Sequence, residues 1–366
     1  MPRFSVPSNL RSWVEVDPDA LSHNLAFVRR TIGPGPEILA VIKANAYGHG
    51  TGHVARALAH DVAVFGVADL TEAKAVLAAE TGREIILLSP CLPAERQEVV
   101  EMGLIATVSS AEEALGYAAF GDARINFKVD TGMGRVGAWW ESATRELESI
   151  AGRVTIHSIS THLPCSDEDE GFTRHQLEEF SRLIEGFRRL APGAKIHALN
   201  SAGILKFPEY ATDIVRAGLV LYGSSPLPEF QRECRAALTW KARVTLVRDL
   251  PAAAGVCYGR TFTISRPTRT AVLPVGYADG FPRQVSGKGA SVLLRGTRCP
   301  VLGRVTMDQI VVDVTAAGQI QPGEEAVIIG SQGREIIPVA ELASQAGTIA
   351  WDIFTGIKHR VARIYP

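Results

Sequence analysis

Long apolar runs are missing from this sequence: none nears the roughly 18 consecutive apolar residues that a membrane-spanning helix needs. The opening MPRFSVPSNLRSW, broken by Pro2 and Pro7 and carrying Arg3 and Arg11, also lacks the apolar core of a secretory signal, so a cytoplasmic protein with no membrane partner is expected. Cysteine is scarce and scattered. Cys91, Cys165, Cys234, Cys257 and Cys299 form no C-x-x-C pair and are odd in number, which argues against a zinc knuckle and a disulfide framework, and no metal is expected. Net charge is nearly absent, 38 Lys+Arg against 39 Asp+Glu, so no global field recruits nucleic acid or an anionic membrane. Internal repeats and low-complexity segments are lacking too. What remains is a soluble globular composition, 46% hydrophobic and 21% charged over 366 residues, enough for about two domains.

From about Ile38 to Gly223 short apolar runs alternate with helical patterns: ILAVI then GHVARALAH, VAVFGVA then LTEAKAVLAAE, EIILLS then PAERQEVVEMG, IATVS then SAEEALGYAAF. The rhythm continues through INFKV, VTIHSIS, KIHAL and DIVRAGLVLYG, giving about eight strands, apolar on both faces as buried parallel strands are. A (β/α)8 TIM-like barrel over residues 12–228 is the expected closure, with a doubly wound sheet as the alternative. Beyond Pro226 the chain turns to short β-like runs punctuated by Gly and Pro, with one helical stretch, PVAELASQA. A mostly β domain over 229–366 is expected, joined by residues 1–11.

In a barrel the strand C-terminal ends share one face, so polar residues just after each strand are read together. Lys43 follows LAVI, Lys128 and Asp130 end INFKVD with Arg135 beyond, His162 ends SISTH, Asn200 and Ser201 follow HAL, and Arg216 lies in IVRAG. Burial of Lys43 in such a mouth lowers its pKa and frees an amine for Schiff-base formation; a lysine snorkelling at a strand end is the plainer reading. The polar, glycine-rich Asn45-Ala46-Tyr47-Gly48-His49-Gly50 that follows favours a site. Asn200-Ser201 and Arg216-Ala217-Gly218-Leu219 sit after the last two strands, where barrels bind phosphate. A Schiff-base lysine and a phosphate cradle together suggest pyridoxal phosphate.

Gly132-Met133-Gly134-Arg135-Val136-Gly137 matches a G-x-G-x-x-G fingerprint, but no acidic residue ends the next strand to hold a ribose. A dinucleotide is not expected. In the second domain, VGYADG and GRVTMD place Tyr277, Arg304 and Asp308 in turn-rich segments that alone read as ion-paired β-turns.

Taken in order and spacing, AVIKANAYGHG, KVDTGMGRVG, the His162 of THL, LNSAG, VRAGLVLYG, VGYADGFPR and GRVTMDQ resemble the motifs of the pyridoxal-phosphate-dependent alanine racemases, over nearly the whole chain from RSWVEVD to HRVARIY. The resemblance implies a homodimer whose active sites are each completed by the partner's β domain, and the interconversion of L- and D-alanine, for peptidoglycan supply or D-alanine breakdown. It implies that Lys43 holds the cofactor and acts as one base, with Tyr277 of the other subunit as the opposing base assisted by His162. A free tyrosine is a poor base at neutral pH, each unit of pKa depression needing about 1.36 kcal/mol. By the same resemblance Arg216 faces the pyridine nitrogen, and Tyr47, Ser201, Gly218 and Leu219 hold the phosphate. Arg135 and, from the partner subunit, the Met307 N–H hold the substrate carboxylate, and Lys128, carbamylated in some members, steadies Arg135.

Two positions depart from the family pattern. Trp351-Asp352 stands where a tyrosine of a YE-type segment contacts phosphate, which changes the donor and the pocket volume. Lys206 stands where an arginine supports the histidine and the ring-facing arginine, offering a point charge instead of a fork. The rival readings are a racemase for another small amino acid such as serine, a barrel decarboxylase, a cofactor carrier without activity, and an unrelated sugar-phosphate barrel. Decarboxylases of this layout favour an acid at the pyridine nitrogen, so Arg216 argues against that reading.

Overall fold

A computed structural model describes residues 7–366, and the chain divides into two compact units. One holds Leu21–Ala46 and Thr51–Arg235; the other holds the chain up to Ala20, Tyr47–Gly50 and Ala236–Pro366.

In the first unit eight parallel strands pair in ring order: Glu37–Val41, Val64–Val67, Glu84–Leu87, Ile105–Val108, Arg124–Asp130, Thr155–Ser160, Lys195–His197 and Ile214–Ala217, the last against the first. Between the seventh and eighth, the Arg216 N–H donates to the Leu199 carbonyl at 2.9 Å, completing the expected barrel. VFGV and IATV are buried at every position, as strands covered on both faces must be. The turns that follow the strands carry helix caps: Asp69, Ser110, Asp169 and Asn200 each accept the backbone N–H three residues on. The helix Glu170–Leu190 buries Thr173, Gln176, Leu177, Phe180 and Phe187, a helical-period stripe.

One expected strand is shorter than its apolar run. DIVRAGLVLYG is extended only over Ile214–Ala217; after Gly218 the buried Leu219–Tyr222 tightens into a 3₁₀ turn. An apolar run cannot signal that change, because both conformations bury the same side chains.

The second unit is built on a ten-stranded, mainly antiparallel sheet. Leu238–Arg243 alternates buried and half-buried residues, one face on the core. Ser12–Val16, which the 12–228 reading counts with the barrel, lies in this sheet, antiparallel to Leu238–Arg243 and parallel to Ala362–Ile364. Trp13 and Trp240 are fully buried, and the Trp240 indole donates to Ser12 Oγ at 2.9 Å. Of residues 1–11, Met1 to Val6 lie outside the described residues; Arg11 accepts the Arg243 N–H through its carbonyl at 2.9 Å. The helical stretch in PVAELASQA forms as Val339–Ala346, and a second helix, Ala350–Gly356, carries Trp351.

Candidate active site

The barrel's polar residues converge on Arg216. It is 5% exposed, and its Nη1 and Nη2 donate to the carbonyls of Thr161 (2.8 Å), Ala198 (2.7 Å) and His197 (3.1 Å). They also reach His197 Nδ1 at 2.9 Å and His162 Nδ1 at 3.2 Å. The guanidinium nitrogen Nε takes part in none of these bonds. Burial pushes the Arg216 pKa down to about 10, so it stays cationic at neutral pH. Its effect on the neighbours is larger. Burial first, then surrounding cations, hold His162 and His197 well below the ordinary histidine value, and both rings face the guanidinium as acceptors.

Lys128 retains some accessible surface, yet its ammonium is buried within reach of the charges of Arg216 and Arg135. Burial and then those two arginines push it well below the ordinary lysine range. Lys43, just past the first barrel strand, is lowered by burial and then by Arg135, with Glu72 acting in the opposite sense. The barrel thus gathers two lysines and two histidines whose pKa values are all lowered, the two imidazoles bonded to a buried arginine.

Lys43 opens a single left-handed turn. Ala44, Asn45, Ala46 and Tyr47 have φ between 50° and 54°, a conformation costing roughly 1–2 kcal/mol per non-glycine residue. Local bonds hold it: the Ala46 N–H donates to Ile42 O (2.9 Å), the Thr51 N–H to Asn45 Oδ1 (3.0 Å), and the Asn45 N–H to Glu72 Oε1 (3.3 Å). The other Glu72 oxygen accepts the Ala68 N–H at 2.8 Å, tying the turn to the end of the next strand.

At the far side of the ring, Ser201 Oγ accepts the Gly218 N–H (2.9 Å) and the Val220 N–H (3.4 Å). A hydroxyl oxygen here takes two N–H bonds of the kind a phosphate oxygen takes, and the 3₁₀ turn is what aims them. Asn200, expected among the cofactor ligands, spends its side chain on structure. Its Oδ1 accepts the Gly203 N–H and the Ser166 hydroxyl, each at 2.9 Å, and its Nδ2 donates to Leu163 O at 3.0 Å. The G-x-G-x-x-G segment wraps a carboxylate: Asp130 Oδ1 accepts from Gly132 (2.9 Å) and Met133 (2.8 Å), and Oδ2 from Arg135 (3.2 Å). Those N–H groups close the segment on its own carboxylate, a negative charge where a dinucleotide's phosphates would have to lie. Lys206 pairs with Glu170 at 3.4 Å and lies 5.9 Å over the Phe207 ring; the partners of Arg216 and His162 described above do not include it.

The second unit holds Tyr47, 6% exposed, whose phenol is pushed up to about 12 by burial against a hydrogen bond from the Trp351 indole. A phenol so placed keeps its proton and remains a donor. Tyr277 and Met307 are exposed turn residues of this unit, 40% and 52%.

His197 and Glu72 were not singled out from the sequence. His197 sits inside the short apolar KIHAL, where a histidine reads as core, and Glu72 lies in an ordinary helix first turn.

A profile of the alanine racemase N-terminal domain matches residues 16–226, and one of the alanine racemase C-terminal domain matches 237–365. The chain belongs to the alanine racemase family. A relative from Methylacidiphilum infernorum named alanine racemase is 38% identical, over 100% of this chain and 95% of its own. The crystal structure of alanine racemase from D-cycloserine producing Streptomyces lavendulae superposes with a TM-score of 0.91 at 35% identity, covering 99% of this chain and 98% of that one. The enzyme from Bartonella henselae, with covalently bound pyridoxal phosphate, matches at 0.86 and 28% identity over 97% and 99%.

Proposed function

We propose that this chain is an alanine racemase that interconverts L- and D-alanine with pyridoxal phosphate. The observation that carries the reading is the cationic, hydrogen-bonded Arg216 on the same barrel as the depressed Lys43 amine. The bound cofactor supplies an aldehyde for an amine and an electron-withdrawing ring that acidifies the substrate Cα–H. Lys43, its pKa lowered by burial and Arg135, is the amine that would hold it and one of two bases.

Arg216 would face the ring nitrogen of the bound cofactor, where a permanent cation would oppose protonation of that nitrogen, limit electron withdrawal and favour proton return over side reactions. Ser201, the N–H groups of Gly218 and its 3₁₀ turn, and the Tyr47 hydroxyl hold the phosphate. Trp351 acts through Tyr47. Arg135 and, from the partner subunit, the Met307 N–H bind the carboxylate. Lys128, whose pKa burial and the charges of Arg216 and Arg135 push well down, is suited to react with carbon dioxide: its nitrogen bonds the carbon and loses a proton. The resulting anion would be opposite in charge to those two arginines.

Racemisation needs a second base on the opposite face of Cα. Tyr277 fills that role from the partner subunit of a homodimer, with His162 assisting it. No helix among the described residues is long and apolar enough to cross a membrane, in keeping with the cytoplasmic reading. Tyr277→Phe is expected to lower kcat by about 100-fold or more while pyridoxal phosphate stays bound. Racemisation at the wild-type rate would overturn the two-base reading.

A further inference from the structure

Tyr277 and Met307 lie on two different turns of the β unit, each at an exposed tip. The turns are joined at their backs. The Tyr277 N–H donates to Thr306 O (3.1 Å) and the Ala278 N–H to Met307 O (3.0 Å). The approach is so close that a Cβ on Gly276 would stand 2.3 Å from Thr306 O and 2.4 Å from Met307 O. One arginine spans both turns. Arg360 donates through Nε to Asp279 Oδ1 (2.6 Å), through Nη2 to Asp279 Oδ2 (3.3 Å), and through Nη2 to Asp308 Oδ1 (2.6 Å). Asp279 is only 4% exposed, and its Oδ2 also accepts the Gly276 N–H at 2.8 Å. Each carboxylate lies within two residues of a proposed functional group: Asp279 two after Tyr277, Asp308 one after Met307.

We infer that Arg360 and Asp279 are positioning residues for racemisation: they clamp the Tyr277 turn to the Met307 turn and fix the spacing between the opposing base and the carboxylate-binding N–H. The inference rests on the roles proposed above for Tyr277 and Met307. A planar guanidinium holds two carboxylates in a rigid fork, where a lysine offers a single rotatable point charge. Without the clamp, both groups remain on the protein but lose their mutual register, and an ångström of misplacement costs about 100-fold in rate.

The test uses the cofactor-loaded full chain. Because L- and D-alanine are mirror images, kcat/KM falls equally in both directions and cannot tell a misplaced base from general damage. The primary isotope effect can. Initial rates are measured with Cα-deuterated L- and D-alanine for the parent, Tyr277→Phe, Arg360→Met and Arg360→Lys. Arg360→Met is expected to lower kcat/KM on the order of 10- to 100-fold and to raise KM. It should also enlarge the isotope effect for one enantiomer only, the one Tyr277→Phe also affects most, and Arg360→Lys is expected to recover only part. Equal isotope effects for both enantiomers, or unchanged KM and kcat, would overturn the clamp. If Tyr277→Phe itself shows no preference between enantiomers, the proposed base assignment fails, a distinct result. Should Arg360→Met not fold, Asp308→Asn removes only the exposed half of the clamp and gives the same readout.

Discussion

Acid should weaken this fold through two particular histidines. His162 and His197 accept hydrogen bonds from Arg216, which neither can do when charged at that nitrogen, and both are held well below their ordinary pKa. A folded-state pKa below the unfolded one means that stability is present above the unfolded value, near 6.5, and drains away as pH falls toward the folded value. A ring that takes no proton in the folded state costs about 2 kcal/mol between pH 8 and 5. His197→Gln keeps an oxygen to accept from Arg216 Nη1 and removes one titrating ring. Proton uptake on urea unfolding, measured at pH 5 in weak buffer, should be about one proton smaller for His197→Gln than for the parent. Carboxylates shared by both proteins cancel in the difference. The acid-induced loss in unfolding free energy should shrink by about 2 kcal/mol. Equal uptake by the two proteins would mean that His197 already carries its proton when folded, and the reasoning would be wrong.

Other expectations follow from the same electrostatics and bonding. Glu72→Gln removes the acidic group that opposes the depression of Lys43, so the midpoint for amine labelling of Lys43 in cofactor-free protein should move to lower pH; a rise would contradict the arrangement. Trp351→Phe deletes the indole bond to Tyr47, worth about 0.5–1.5 kcal/mol. Pyridoxal phosphate should then bind roughly 2- to 12-fold more weakly while pyridoxal, lacking the phosphate, binds unchanged; an equal loss for both would separate Trp351 from the phosphate.

Much of the barrel can be read from the sequence because its signals are local. Four of the eight apolar runs lead to a side-chain cap and a helix, and Lys43, His162 and Arg216 sit at strand ends where stability does not call for them. The left-handed turn is hidden because Ala44 to Tyr47 are ordinary residues, driven there by Asn45, Glu72 and Thr51 and not by glycine. The bonds of Asp279 and Arg360, 81 residues apart, come only with the folded sheet. Ser12–Val16 could not be assigned from its own residues, since its partners lie more than 200 positions on. Lys206 shows the converse error: a position aligned with a motif still chooses its partner by reach, and Glu170 is within reach.

The most direct test of the central claim is incubation of the purified, cofactor-loaded protein with L-alanine in deuterated water, read by chiral separation and mass detection. D-alanine carrying one solvent deuterium at Cα is the predicted product, and Lys43→Ala should abolish it. L-alanine recovered unchanged, or converted to an amine with loss of carbon dioxide, would contradict the assignment of this barrel to racemisation.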